Sequence, residues 1–146
     1  AVAQGHAGFD PAQPQLLGDA DLAWAESILG SVGSVVRVPE SQLDAVTGLA
    51  GSGPAYLFLV AEALIDAGVL AGLSRANSEA LVGQLFVGSA ALLQQRGDPA
   101  QLRAMVTSPG GTTAAGVRAL EEHAVRSAFL EAVMAATARS AELGKH

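Results

Sequence analysis

The chain contains no cysteine, and this absence removes several kinds of chemistry at once. Disulfide bonds, thiolate metal ligands and a cysteine nucleophile are all excluded. Histidine is scarce too, because His6, His123 and His146 lie far apart and match no metal-ligand spacing. We therefore expect no metal site. A cysteine-free chain also fits a cytoplasmic protein, which is the location we expect.

Positive charge is scarce as well. Eight Lys and Arg residues stand against 14 Asp and Glu residues, which gives a formal net charge of −6. Nucleic-acid binding needs clustered basic side chains, so we expect no nucleic-acid partner. The first ten residues lack the basic start and the long apolar core of a signal peptide. Because the first residue is not Met, we expect a fragment or a processed form.

Charged and aromatic residues are both few, at 15% and 4% of the chain, whereas 50% of the residues are hydrophobic. A typical soluble domain is about 25% charged. The chain therefore has too little charge to cover a monomer comfortably. Excess apolar surface of this kind predicts burial against a partner subunit.

The most apolar stretch covers residues 55–73 and is long enough to span a membrane. Glu62 and Asp66 lie in its middle, and each would cost roughly 2.5–3.5 kcal/mol at the centre of a bilayer. We therefore expect no membrane partner and interpret the stretch as a helix buried in a protein core or in a dimer. The carboxylates of Glu62 and Asp66 are expected to have structural roles.

Helical patterns follow one another along most of the chain. Asp19 is the expected N-cap of a first helix, and the short β-branched run at residues 34–38 predicts a strand. Such a strand would pair with residues 1–4 or with another chain. Beyond residue 40 the expected helices cover residues 43–49, 54 to about 68, 75 to about 96, a short stretch from 99, 112–123 and 125–143. Ser74 is the expected N-cap of the helix from 75, and Gly97 follows its expected end. Asp98 as N-cap and Pro99 in the first turn are expected to start the helix from 99. The pattern predicts an all-α fold after a short α/β segment.

The segment TSPGGTT at residues 107–113 is the strongest candidate for a binding site. Its two glycines allow a ligand to approach the backbone, and hydroxyl side chains stand on both sides of them. The helix that follows offers free N–H groups and a positive dipole end, which together suit a carboxylate. A tight connection between two helices, capped by a Thr, explains the same residues equally well. No glycine fingerprint for a nucleotide follows a strand, and no serine-nucleophile motif is present.

The same segment carries a resemblance to a known family. MVTSPGGTTAAGVRALEE (105–122), together with DAVTGLAGSGPAYLFLVAEALIDAGVLAGLSR (44–75), resembles pyrroline-5-carboxylate reductase. The resemblance implies reduction of 1-pyrroline-5-carboxylate to L-proline with NADPH or NADH. It also implies a nucleotide-binding Rossmann half followed by an all-helical half whose helices interlock in a homodimer or a higher oligomer. Residues 1–39 would then be the tail of the nucleotide-binding domain, and residues 40–146 the dimerisation and substrate-binding domain.

The resemblance also implies roles for individual residues. Thr113 would be the catalytic residue, with its hydroxyl facing the ring nitrogen of the substrate. Met105 and Val106 would lie near the nicotinamide of the cofactor. The residues that would bind the substrate, chiefly through its carboxylate, are Ser108, Gly110, Gly111, Thr112 and Thr113.

The fingerprint for the cofactor is absent from this sequence, so we expect the chain alone to be inactive. Ala50 stands where many members of the family carry Ser, although the neighbouring glycines and Pro54 are kept. A non-catalytic, all-helical oligomerisation module remains the alternative. The sequence of the full gene separates the two hypotheses, because only the enzyme requires an upstream nucleotide-binding unit.

Overall fold

A computed structural model describes residues 18–145, and all regular structure in that range is helical. This confirms the all-α fold class. The α-helices of this range are α1 (Asp19–Gly30), α2 (Leu43–Val46), α3 (Gly53–Leu70), α4 (Arg75–Arg96), α5 (Pro99–Met105), α6 (Thr112–Glu122) and α7 (Val125–Leu143).

The local signals for helix starts and ends are largely confirmed. Ser74 caps α4, since its Oγ accepts a hydrogen bond of 3.2 Å from the N–H of Asn77. Gly97 ends α4, as its position after the last helical residue predicted. The start of α1 differs from the prediction, because Gly18 is the N-cap instead of Asp19. The N–H of Gly18 donates to the carboxylate of Asp21 over 2.9 Å, which stabilises that first turn.

The strand predicted at residues 34–38 is not formed, and those residues have neither helical nor strand structure. A strand is stabilised by backbone hydrogen bonds to a neighbouring strand, and residues 18–145 contain none. The side chain of Arg37 instead pairs with Glu26 of α1, with Nη2 and Oε2 2.7 Å apart. The predicted pairing with residues 1–4 lies outside the described residues.

The described chain forms two compact units, which we treat separately. The first unit joins the residues up to Pro54 with those from Phe129 onward. In it, a 3₁₀ turn (Glu40–Gln42), α2 and a π-helical turn (Thr47–Gly51) follow one another.

In this first unit the π-helical turn lies directly on the backbone of α7. A Cβ on Gly48 would come within 2.9 Å of the Thr137 nitrogen and of the Val133 oxygen. The Ser140 hydroxyl donates to the Asp44 carboxylate over 2.6 Å. A side chain at position 48 is therefore excluded by the closeness of the two backbones.

The second unit covers residues 55–128 and contains the hairpin of α3 and α4. The helices approach closely where Gly68 faces Ser78, because a Cβ on Gly68 would lie 3.2 Å from the Cβ of Ser78. An ion pair of 2.8 Å between Asp66 and Arg75 links the end of α3 to the start of α4. The structural role predicted for Asp66 is therefore confirmed.

Most large apolar side chains of the described chain are not buried within it. Among the described residues only Leu22 and Val82 are buried hydrophobic side chains, whereas Leu57, Phe58 and Leu59 on α3 are 54%, 58% and 67% exposed. We expected this part of α3 to be buried in a protein core or in a dimer. The single chain does not bury it, because no element among the described residues covers this face, and burial in a dimer stays a prediction.

The helical stretch Glu40–Leu70 is long and apolar enough to cross a membrane by length and composition alone. No part of its most apolar window is buried in the single chain. The core helix of a soluble protein meets the same two criteria, and this stretch carries Glu62 and Asp66 and is interrupted at Ser52. Both acidic side chains would be costly at the centre of a bilayer.

Candidate functional site

The candidate site begins where α5 ends. The N–H of Thr107 donates to the carbonyl of Ala104 over 3.1 Å, and its hydroxyl donates to the carbonyl of Arg103 over 2.6 Å. Both bonds satisfy carbonyl groups that the helix end would otherwise leave free. The hydroxyl of Thr107 is therefore engaged in closing α5.

A tight turn then leads into α6. The N–H of Gly111 donates to the carbonyl of Ser108 over 3.0 Å, and Gly110 has a φ of +70°, in the left-handed region. A Cβ on Gly111 would overlap the hydroxyl of Ser108 and lie 3.2 Å from its carbonyl oxygen. The turn thus needs glycine at 110 for its conformation and at 111 for its close contact, and it holds the Ser108 hydroxyl beside the start of α6.

The start of α6 is open. Its N-cap is Gly111, which has no side chain to accept a hydrogen bond. The first helical hydrogen bond runs from the N–H of Ala115 to the carbonyl of Gly111 over 3.2 Å. The N–H groups of Thr112, Thr113 and Ala114 find no acceptor among residues 18–145. Free N–H groups at the positive end of a helix dipole form a favourable place for an anion.

A cavity of about 260 Å³ adjoins this helix start. Small residues form most of its wall, and Arg118 is the one charged residue that lines it. The lining residues are Gly110, Gly111, Ala114, Ala115 and Arg118. The last four follow the i, i+3, i+4, i+7 spacing of a single helix face. That spacing was visible in the sequence, but our sequence analysis did not include Arg118 among the site residues.

The site residues predicted from the sequence form one continuous surface segment. Met105 and Val106 end α5 and are 63% and 62% exposed. Thr112 and Thr113 are the first two residues of α6, and both are exposed. The structure places these residues next to the turn of Ser108, Gly110 and Gly111. Their individual roles stay predictions.

The opposite end of α6 is held by charge. Glu121 accepts hydrogen bonds of 2.7 and 2.9 Å from Nε of Arg126, and Arg103 of α5 lies 3.8 Å from the same carboxylate. The hydrogen bond from Arg126 lowers the pKa of Glu121 below its ordinary value, so the carboxylate stays ionised. The ring of His123 contacts the Ala119 carbonyl at 2.8 Å, in keeping with a structural role. Within the described range, no group of three or more metal-binding side chains converges.

The fold and this site define an all-helical domain in which one helix start, that of α6, has free N–H groups within the described residues. Residues 40–143 match the family described as pyrroline-5-carboxylate reductase dimerisation. The chain belongs to this family.

Relatives in several organisms support the assignment. The chain is 56% identical over 125 residues to the pyrroline-5-carboxylate reductase of Synechocystis sp., covering 85% of this chain and 47% of that protein. It is 51% identical over 126 residues to the enzyme of Corynebacterium melassecola, covering 86% and 47%. The chain therefore spans about half the length of the curated relatives it matches.

Solved structures agree on the fold. A pyrroline-5-carboxylate reductase from Coxiella burnetii matches with a TM-score of 0.84 and 39% identity, covering 88% of this chain and 48% of that one. The Plasmodium falciparum pyrroline carboxylate reductase, solved with NADP bound, matches with a TM-score of 0.80 and 37% identity, covering 89% and 53%.

Proposed function

We propose that this chain is the substrate-binding and dimerisation part of a pyrroline-5-carboxylate reductase, which reduces 1-pyrroline-5-carboxylate to L-proline with NADPH or NADH. The observation that carries the proposal is the open start of α6 at the SPGGTT segment of a chain from this family. Residues 1–39 then belong to the nucleotide-binding domain, and residues 40–146 form the functional half described above. We place the enzyme in the cytoplasm.

The substrate carboxylate is the anion that the open helix start accepts. The free N–H groups of Thr112, Thr113 and Ala114 supply hydrogen-bond donors, and the hydroxyl of Ser108 stands beside them. Hydrogen bonds between N–H groups and an ionised acceptor are shorter and stronger than neutral ones. These donors are fixed by the helix before the ligand arrives, so little order is lost on binding.

Thr113 acts at the other end of the substrate. In the reaction, the cofactor supplies a hydride that adds to the imine carbon. The ring nitrogen keeps its proton and becomes the amine of proline. A protonated imine is already electrophilic, so positioning contributes more than acid–base catalysis. The cavity agrees with this requirement, since neither a carboxylate nor a histidine lines it. The Thr113 hydroxyl orients the ring by hydrogen bonding to the nitrogen.

The end of α5 suits the nicotinamide ring of the cofactor. Met105 and Val106 expose apolar surface immediately before the turn that binds the substrate. An apolar wall fits the face of a nicotinamide and keeps water from the reacting carbon. The contacts with the rest of the nucleotide belong to the Rossmann half that the family carries upstream.

A second copy of the chain covers the apolar face of α3. The hairpin of α3 and α4 contains a groove of about 300 Å³, whose lining is almost entirely apolar. It is lined by Leu57, Phe58, Ala61, Ile65, Glu79, Val82, Gly83 and Phe86. A folded chain that leaves such a surface open associates to bury it. We expect light scattering to report a dimer or a larger oligomer, Phe58→Asp to weaken it, and Gln94→Asp on the polar surface of α4 to leave it intact.

A fusion protein tests the catalytic proposal. The chain is joined in native order to the half of the Synechocystis relative that it does not match, and NADPH oxidation is followed with 1-pyrroline-5-carboxylate. We expect Thr113→Ala to lower kcat/KM about 10- to 100-fold, because a hydrogen bond to the charged ring is lost. Thr113→Ser keeps the hydroxyl and should retain most of the activity.

Each outcome of this experiment has a distinct meaning. Unchanged kcat/KM in a folded Thr113→Ala fusion would rule out the role of Thr113. A fusion that folds and assembles but does not reduce the substrate would contradict the catalytic proposal and favour the oligomerisation module.

A further inference from the structure

Arg118 is a cation without an anionic partner in the part of the chain that the structure describes. Ion pairs there engage Arg37, Arg75, Arg103, Arg126 and Arg139. Arg118 has none, although Glu121 and Glu122 lie within one turn of it on the same helix. Arg118 is exposed and lines the cavity at the start of α6.

The position of Arg118 directs it towards that helix start. It follows Thr112 by six residues, which corresponds to about 9 Å of helix rise. Side chains on a helix lean towards its N-terminus, so this side chain leans back over the preceding turn. Ala114 and Ala115 are too small to close the space between, and the cavity runs from Gly110 to Arg118.

Two independent sources of positive charge therefore meet in one cavity. The free N–H groups of α6 are fixed in the backbone, and the guanidinium adds a full charge with planar, paired donors that match a carboxylate. A cyclic imine without a carboxylate would fit the same cavity, but neither the N–H groups of α6 nor Arg118 would strengthen its binding.

We propose that Arg118 is a specificity-determining residue, which selects cyclic imines that carry a carboxylate over uncharged cyclic imines of the same ring size. This inference rests on the proposed function. Arg118 acts on the carboxylate end of the substrate and not on the carbon and nitrogen that react. Its loss therefore raises KM and leaves kcat nearly unchanged.

The test compares two substrates in the fusion protein described above. With 1-pyrroline-5-carboxylate, we expect Arg118→Gln to raise KM about 10- to 100-fold, in the range of a charge-assisted hydrogen bond. With 1-pyrroline, which lacks the carboxylate, KM should change less than twofold. Arg118→Lys keeps the charge without the planar donors and should give an intermediate KM.

The matched control is Arg96→Gln. Arg96 also lacks an ion pair among the described residues, but it ends α4 and does not line the cavity. Arg96→Gln removes the same charge as Arg118→Gln. If only the net charge of the protein mattered, KM would therefore rise equally in both variants.

The outcomes separate this inference from the function on which it rests. A wild-type fusion that does not reduce 1-pyrroline-5-carboxylate contradicts the proposed function itself. An active wild type with an unchanged KM in Arg118→Gln overturns only the role of Arg118. Equal rises in KM for both substrates also overturn it, because they indicate a structural effect.

Discussion

Two neighbouring helices of the second unit begin in opposite ways. At the start of α5, the carboxylate of Asp98 accepts hydrogen bonds of 2.9 and 3.1 Å from the N–H groups of Ala100 and Gln101. At the start of α6, Gly111 offers no acceptor, and the corresponding N–H groups are free within the described chain. The first helix start is complete in itself, whereas the second needs an acceptor from outside.

The difference shows how the residue at the N-cap decides whether a helix start satisfies its own N–H donors. Asp is among the best N-cap residues because its side chain replaces the missing acceptor and its charge suits the helix dipole. Gly at the same position keeps the backbone turn and leaves both the donors and the positive potential to a ligand. The donors at the start of α5 are therefore satisfied within the chain, whereas those at the start of α6 stay free among the described residues.

The largest expected effect comes from making α6 begin like α5. In Gly111→Asp, the new carboxylate accepts hydrogen bonds from the start of α6 and repels the substrate carboxylate. Its Cβ also meets Ser108. We expect kcat/KM of the fusion protein to fall at least about 100-fold, the effect of losing a set of fixed donors.

The control for this variant lies in the same helix. A Cβ on Gly116 meets nothing within 4 Å, so Gly116→Ala changes a glycine of α6 without filling its start. Activity should persist in this variant. If Gly111→Asp, verified as folded by circular dichroism, reduced the substrate within threefold of wild type, the open helix start would not be the substrate site.

An intermediate effect is expected from opening the start of α5. Asp98→Ala removes the acceptor of two hydrogen bonds and should lower the free energy of unfolding by about 1 kcal/mol. Activity should change less than twofold, because the start of α5 is not part of the proposed substrate site. Thermal and urea denaturation at one fixed protein concentration measure the loss. Asp98→Asn keeps a capping side chain and should recover most of the lost free energy of unfolding. If Asp98→Ala lost as much activity as Gly111→Asp, the two helix starts would not differ in function.

The smallest effect is expected at the other end of α6. Because Arg126 lowers the pKa of Glu121 below its ordinary 4.5, the ion pair stabilises the folded state above that pH. The contribution is lost as the pH falls through the lower, folded-state pKa. The difference in Tm between wild type and Glu121→Gln should therefore be small at pH 7 and vanish in acid below pH 4.5. Glu122→Gln is the control, and an equal, pH-independent difference there would contradict the ion pair.

Much of the fold was predictable because its signals are local. The helices start and end at residues whose backbone chemistry acts within a few positions, namely Ser74, Gly97, Asp98 and Pro99. The prediction of a strand at residues 34–38 was wrong because a strand depends on residues that are distant in sequence. A run of β-branched residues favours extended backbone, but a strand also needs a second strand to pair with.

The candidate site was predictable only in part. The turn and its hydroxyls follow from a continuous segment, so Ser108 to Thr113 were identified directly. Arg118 was missed because its relation to Gly111 depends on helical spacing across seven positions and on the absence of an ion pair. The exposure of Leu57 and Phe58 in the single chain agrees with one of the two alternatives left open, because apolar composition indicates burial without saying which chain supplies the cover.

The close packing of Gly48 against α7 affects the order in which the chain folds during synthesis. Asp44 and Ser140, which are bonded in the same unit, are separated by 96 positions. At a synthesis rate of about 5–20 residues per second, roughly 5–20 s pass between the appearance of the two at the ribosome. Throughout that interval the first unit lacks one of its two segments, so it closes only after α7 has been synthesised.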